Sequence, residues 1–289
     1  MIKIYNRETK GYDIEKESGS MFLNFLYNNF IGRSLLKILI NPIISKIGGL
    51  YNDSFFSKFK IKKFIENNGI NILEYEAQDY KNFNEFFIRT IKEENRVMSN
   101  NINDFISPAD SKLLVYNISD DLKLSIKGST YTLNELINNE EDLNEYKNGL
   151  CLVFRLAVSD YHHYCYPDTG CLIKQSFIKG KLHTVRSVSK DYPIYKVNQR
   201  EYSILKTDNF KEITYIEVGA LMVGKIVNLN KSKFNKGEEK GYFKFGGSTI
   251  VILLKENVVE IDEDILRNSK NNIETKVKYR ETIGCKKII

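Results

Sequence analysis

A serine that follows two glycines has the setting in this chain that most directly suggests chemistry. Gly246-Gly247-Ser248-Thr249 closes a short alternating run and opens an apolar one, Ile250 to Leu254. Glycine at 247 leaves its carbonyl unshielded and tolerates a strained turn, so the Ser248 hydroxyl can attack the peptide bond that precedes it. Alone, a glycine pair before a strand more often marks a bulge or tight turn. Two other segments supply partners of the right type. Ser107-Pro108-Ala109-Asp110-Ser111 sets a carboxylate at the mouth of an expected strand, although a turn aspartate commonly bonds its own backbone. Asp160-Tyr161-His162-His163-Tyr164-Cys165-Tyr166-Pro167 carries two of the chain's three histidines. Imidazole is suited to proton transfer near neutral pH. If the strand runs on through this segment, His162 and His163 point to opposite faces, so one at most serves a given site. Aspartate, histidine and serine are together the parts of a relay that orients a base and deprotonates a nucleophile.

The elements that must position these residues divide at about residue 100. Residues 1–100 read as an N-terminal helical, membrane-associating region. The stretch Ser18–Asn52 has no acidic residue before Asp53 and mixes Arg33, Lys37 and Lys46 with Phe22, Phe25, Phe30, Ile31, Leu35 and Ile38, until Pro42 interrupts it. No window reaches the roughly 18 uninterrupted apolar residues of a spanning helix. A basic, apolar helix of this kind can instead lie in a membrane interface. A second basic run, Phe55 to Ile65, adds Lys58, Lys60, Lys62 and Lys63. Residues 82–92 read as a helix capped by Asn82 or Asn84. Residues 101–289 read as a β-rich catalytic domain. Runs at 112–118, 122–127, 150–158, 171–178, 212–218, 221–229 and 242–254 are short, β-branched or aromatic and often alternating, with glycines between them. Residues 131–144 read as a helical insertion, and a short helix is expected near Glu263–Asn268. The fold class is α+β: N-terminal helices, then a mostly antiparallel barrel-like or sandwich domain.

Composition bounds the function. Hydrophobic residues at 42% suffice for a buried core, and charged residues at 28% argue against a polytopic membrane protein. A net charge of +6 is too modest to indicate nucleic acid but suits an anionic surface. Cys151, Cys165, Cys171 and Cys285 show no paired spacing, and three histidines give no zinc-like pattern, so no metal is expected. Met1 to Glu17 is polar and charged, unlike a secretory signal. Reduced thiols and a peripheral place on the cytoplasmic face of the cell membrane are therefore expected.

With these segments in order, the chain resembles the phosphatidylserine decarboxylases over most of its length. The matching elements are Phe86-Phe87-Ile88-Arg89, Ser107-Pro108-Ala109-Asp110, Asp160-Tyr161-His162 with Pro167 and Gly170, Asn198-Gln199-Arg200, Val218-Gly219-Ala220 with Val223-Gly224, and Lys236-Gly237-Glu238-Glu239 through Gly247-Ser248-Thr249. The resemblance implies a self-processing proenzyme. Ser248 attacks the Gly247 carbonyl, the ester eliminates, and residues 1–247 and 248–289 separate as two chains that stay associated. Ser248 becomes a pyruvoyl group, the covalent cofactor. That group forms a Schiff base with phosphatidylserine held in an anionic membrane, and loss of CO2 leads to phosphatidylethanolamine. Asp110 would orient the base, and His162 would donate the proton. A homodimer is compatible with this reading.

The family's block usually reads Asp-Tyr-His-Arg-x-His-x-Pro. Here His163 stands for the arginine and Cys165 for the second histidine, the family's relay partner for the serine. His162, His183 or a Cys165 thiolate could take that place, with His162 preferred. Ser111 replaces a usual glycine. Two other functions stay open on sequence: a pyruvoyl-dependent decarboxylase of a soluble amino acid, and a lipid-binding homologue that never cleaves itself.

Overall fold

The computed structural model describes residues 2–15, 20–126, 129–137, 143–184, 188, 193–221, 225–244 and 248–287. Its centre is an open ten-stranded sheet. In order across the sheet lie Lys233–Phe234, Gly170–Ile178, Arg200–Thr207, Glu212–Val218, Ser248–Leu254, Leu150–Leu156, Ser111–Asn117, Glu274–Val277, Ile2–Asn6 and Gly11–Glu15. Neighbours are antiparallel except Ile2–Asn6 and Glu274–Val277, which run parallel. Ser248–Leu254 is buried at every position, as befits a strand covered on both faces. A three-stranded sheet, Lys225–Asn228, Glu239–Lys244 and His163–Cys165, packs against one face; there the Tyr164 ring meets Tyr215 at 6.2 Å and Phe243 at 4.9 Å. The helix Glu263–Lys270 packs against Ser111–Asn117, where the Ser269 hydroxyl accepts from Val115 N at 3.0 Å.

The α+β architecture matches the sequence reading, and the large sheet is open and sandwich-like rather than closed. Four local differences carry information. The apolar run at 242–254 is two strands, Glu239–Lys244 in the small sheet and Ser248–Leu254 in the large one. The chain therefore changes sheets immediately before Ser248. The N-terminal region is not wholly helical, since Ile2–Asn6 and Gly11–Glu15 form a hairpin on the edge of the large sheet. Its partner strand comes from the C-terminal end of the chain, which no local pattern could reveal. The expected helix at 82–92 is shorter, Phe83–Phe87, and Asn82 caps it by accepting from Glu85 N at 2.9 Å. Of the expected insertion at 131–144, the described part is the end of a strand, the short helix Leu133–Ile137 and the start of the 3-10 helix Leu143–Tyr146.

The basic apolar stretch folds as three helices, Ser20–Asn28, Phe30–Leu39 and Pro42–Asn52. Asn29 and Asn41 cap the second and third, and Pro42 occupies the first turn, where its missing N–H costs nothing. Gly32 lets the first two helices approach closely: a Cβ there would lie 2.0 Å from the Phe25 carbonyl oxygen. Leu26, Tyr27, Leu36 and Ile40 are buried against Leu221 and Val188. Phe30, Ile31, Ile38, Ile43, Ile47 and Leu50 remain exposed. Among the described residues no helix is long and apolar enough to cross a membrane.

Candidate active site

Register places Ser248 before anything else does. It pairs with Leu156, and Ile250 pairs with both Phe154 and Glu217. Directly opposed residues in an antiparallel pair share a face. Ser248, Leu156, Ile250, Phe154 and Glu217 therefore face the three-stranded sheet. Ser248 is fully buried, and its hydroxyl has no hydrogen-bond partner among the described residues. Buried hydroxyls are nearly always bonded, and this one shares its lack of a partner with the neighbouring Thr249 hydroxyl. Gly247, the expected cleavage residue on its upstream side, lies outside the described residues, as do Gly246, Val223 and Gly224.

His162 sits where the strand Leu150–Leu156 gives way to a turn. Its Nε2 lies 3.0 Å from the Ala157 carbonyl oxygen, one residue beyond the partner of Ser248. A carbonyl only accepts, so Nε2 carries the hydrogen. In the neutral ring Nδ1 is then the lone pair, and this buried atom has no hydrogen-bond partner among the described residues. Burial first, then the Arg89 charge, depress the imidazole to about 3, so the ring is neutral. Phe87 stacks on it at 4.2 Å. The Arg89 guanidinium lies over the Tyr75 ring and donates to the Ser159 carbonyl at 3.2 Å. The Phe-Phe-x-Arg element thus has a physical meaning: Phe87 seats the histidine and Arg89 pins the turn before it.

The other expected residues are placed as follows. Both Asp110 oxygens are bonded to Arg96, Oδ1 by Nε at 2.9 Å and Oδ2 by Nη2 at 2.6 Å, and Oδ1 also accepts from Tyr279 N at 2.7 Å. No hydrogen bond joins Asp110 to a histidine among the described residues. Cys165 packs beside the Ser107–Asp110 turn, its N–H donating to the Pro108 carbonyl at 2.9 Å. Burial pushes its thiol up to about 12, which leaves little thiolate. His183 is depressed to about 4, chiefly by burial. The Tyr27 hydroxyl accepts from Thr184 N at 3.0 Å and also hydrogen-bonds His183 Nδ1 at 3.2 Å. His163 turns away from His162 and lies between the rings of Tyr161 and Tyr242. Its Nε2 meets the Ile88 carbonyl and its Nδ1 meets Glu239 Oε1, each at 2.9 Å.

Sequence reasoning missed one pair beside the site. Glu217, on the face of Ser248, is fully buried and bonded to Lys240, while its Oε2 has no hydrogen-bond partner among the described residues. Burial raises its carboxyl, and the Lys240 charge pulls the other way. The available signal was a glutamate inside the apolar run Ile213–Val218.

Ser248 and His162 thus put a buried hydroxyl and a neutral imidazole at the same end of the paired strands Ser248–Leu254 and Leu150–Leu156. The phosphatidylserine decarboxylase family profile matches residues 83–285. The chain belongs to the phosphatidylserine decarboxylase family. It is 52% identical to phosphatidylserine decarboxylase proenzyme 2 of Clostridium acetobutylicum over 285 residues, covering 98% of each chain. It is 43% identical to the phosphatidylserine decarboxylase proenzyme of Clostridium botulinum over 295 residues, covering 99% of this chain and all of the relative. A third relative, the phosphatidylserine decarboxylase proenzyme of Ruminiclostridium cellulolyticum, is 43% identical over 292 residues, covering 98% of this chain and 97% of its own length.

Proposed function

We propose that this chain cleaves itself at Gly247–Ser248 and then decarboxylates phosphatidylserine to phosphatidylethanolamine at the membrane surface. The observation that carries the reading is a pair of buried atoms with no hydrogen-bond partner among the described residues, Ser248 Oγ and His162 Nδ1, with His162 bonded to the Ala157 carbonyl one residue past Leu156, the register partner of Ser248. His162 Nδ1 takes the hydroxyl proton as Ser248 Oγ adds to the Gly247 carbonyl, turning the amide into an ester. Loss of the Ser248 Cα proton with breakage of Cβ–Oγ frees residues 1–247 as a carboxylate. The dehydroalanine left on residues 248–289 tautomerises and takes up water, releasing ammonia. The pyruvoyl group so formed supplies an electrophilic carbonyl and an electron sink. His162, freed from Ser248, is then placed to return a proton to the substrate carbon that loses CO2.

The membrane part of the reading rests on how the helices are bolted to the site. Tyr27 bonds His183 and Thr184, and Leu182 N donates to the Ile40 carbonyl at 2.9 Å. Asn198 Nδ2 joins the His183 and Gly219 carbonyls, each at 2.8 Å, and the residue before Gly219, Val218, pairs with Thr249. The exposed Phe30, Ile31 and Ile38, with Arg33 and Lys37 also exposed, are thus fixed relative to Ser248. Each such cation is worth about 1 kcal/mol near an anionic bilayer. A peripheral location on the cytoplasmic face, with the two cleavage chains remaining associated, follows from this reading.

Intact-mass analysis tests the first step: two chains split before residue 248, the smaller lacking a free α-amino group, are expected. A single full-length species that still releases CO2 from phosphatidylserine would overturn the assignment. Offering free serine alongside phosphatidylserine vesicles tests the second, and turnover of the free amino acid alone would favour a soluble substrate.

A further inference from the structure

Asp110 is committed to Arg96 and the Tyr279 N–H, yet His162 is held in one tautomer. The groups that hold it are a different acid and a different cation. Lys112 Nζ grips both oxygens of Asp160, at 2.6 and 2.7 Å. Asp160 Oδ2 in turn accepts from Ala157 N at 2.6 Å, and Asp160 N donates to the Ala157 carbonyl at 3.0 Å. The carboxylate thus closes the turn 157–160 on itself, and that turn aims the carbonyl to which His162 Nε2 donates. Lys112 pairs in register with Arg155, and Glu15 of the N-terminal hairpin bridges both cations, at 3.5 and 2.7 Å. Lys112 is buried and Asp160 is half-buried.

We infer that Asp160 and Lys112 are positioning residues for His162: they fix the turn whose Ala157 carbonyl holds the Nε2–H tautomer and so turn the Nδ1 lone pair outward as the base. The acid acts through a main-chain carbonyl, not through the imidazole. A bare turn would let the ring exchange tautomers at little cost, and the Nδ1–H form cannot accept the Ser248 proton at that atom. A carboxylate at 160 whose charge is balanced by Lys112 makes the turn rigid without adding net charge beside the ring. The hairpin Ile2–Glu15 gains a role as well, because Glu15 ties Lys112 to Arg155, which Glu274 also holds. The catalytic meaning rests on the self-cleavage reading above, whereas the tautomer assignment does not.

The test separates the two. In an uncleavable Ser248→Ala background, nitrogen-15 NMR of the three histidine side chains is expected to show His162 as a single Nε2–H tautomer. Asp160→Ala should introduce the Nδ1–H form, while Asp160→Asn, which keeps an acceptor for Ala157 N–H, and Asp110→Asn should leave His162 unchanged. In the Ser248 chain, Asp160→Ala should slow cleavage roughly 10- to 100-fold, part of the roughly 100- to 10,000-fold that a positioned base contributes, and Asp160→Asn should restore most of the rate. A single Nε2–H tautomer in a folded Asp160→Ala protein, or an Nδ1–H or doubly protonated His162 at neutral pH in the parent, would overturn the inference. If Asp160→Ala does not fold, Lys112→Met replaces it, and an unchanged tautomer and rate there overturn the inference equally. A parent chain that shows the Nε2–H tautomer yet never cleaves would refute the cleavage reading alone.

Discussion

Removing the reactive hydroxyl should make the uncleaved protein more stable. Ser248 Oγ is fully buried and has no hydrogen-bond partner among the described residues. A buried hydroxyl left unpaired costs about 1–3 kcal/mol in desolvation. Ser248→Ala removes that cost and keeps the β-carbon packed between Leu156 and the facing sheet, with only a one-oxygen void taking back part of the gain. At about 2 °C per kcal/mol for a chain of this size, the melting temperature should rise by roughly 2–6 °C. The comparison needs two uncleaved proteins, since wild type would process itself. His162→Leu alone and His162→Leu/Ser248→Ala serve, because leucine cannot offer the serine a new partner. Urea unfolding, read as the midpoint at constant slope, gives the difference. A loss of 1 kcal/mol or more on Ser248→Ala would refute the reasoning, since it would mean that the hydroxyl is satisfied in the proenzyme and not held in reserve for attack.

Acid lability should follow from the neutral histidines. His162 and His183 have folded values of about 3 and about 4 against 6.5. The unfolded chain therefore takes up their protons first, and stability is full above pH 6.5 and is lost as the pH falls toward those values, at about 1.4 kcal/mol per pH unit per proton. Raised carboxyls such as Glu217 act in the opposite sense, so the measurement is the difference between Ser248→Ala and Ser248→Ala/His162→Leu across pH 6 to 4.5; an identical slope in both would refute the assignment. Arg96→Met leaves Asp110 buried without its cation and should cost about 3–5 kcal/mol; a loss below 1 kcal/mol in denaturant titration would show that the pair is dispensable. Ile31→Asp with Ile38→Asp, both at exposed positions, should weaken flotation with anionic vesicles while leaving the melting temperature within about 2 °C, and unchanged flotation would count against the helices as the membrane face.

Much of this protein was legible in its sequence because the relevant signals are local. Alternation and glycine spacing gave the strand Glu212–Val218 in full and most of Ser248–Leu254. Asn82 as a helix cap needed only side-chain chemistry. A serine after two glycines, a histidine after Asp-Tyr and a basic apolar stretch are one-dimensional facts, and they sufficed to recognise the family and to nominate Ser248 and His162. Tertiary structure decided what depends on contacts between distant segments. It sent the chain from one sheet to another just before Ser248, brought the N-terminal hairpin to strands at the opposite end of the sequence, and gave Asp110 to Arg96. It also set the surroundings of the three candidate bases, because whether a lone pair is open depends on which neighbours come within hydrogen-bonding distance. Tyr27 bonds Nδ1 of His183, burial keeps Cys165 a thiol, and the Ala157 carbonyl takes Nε2 of His162 and leaves its Nδ1 without a hydrogen-bond partner among the described residues. Residue type sets what a side chain is able to do; burial and partners, which only the fold supplies, set which of them is free to do it.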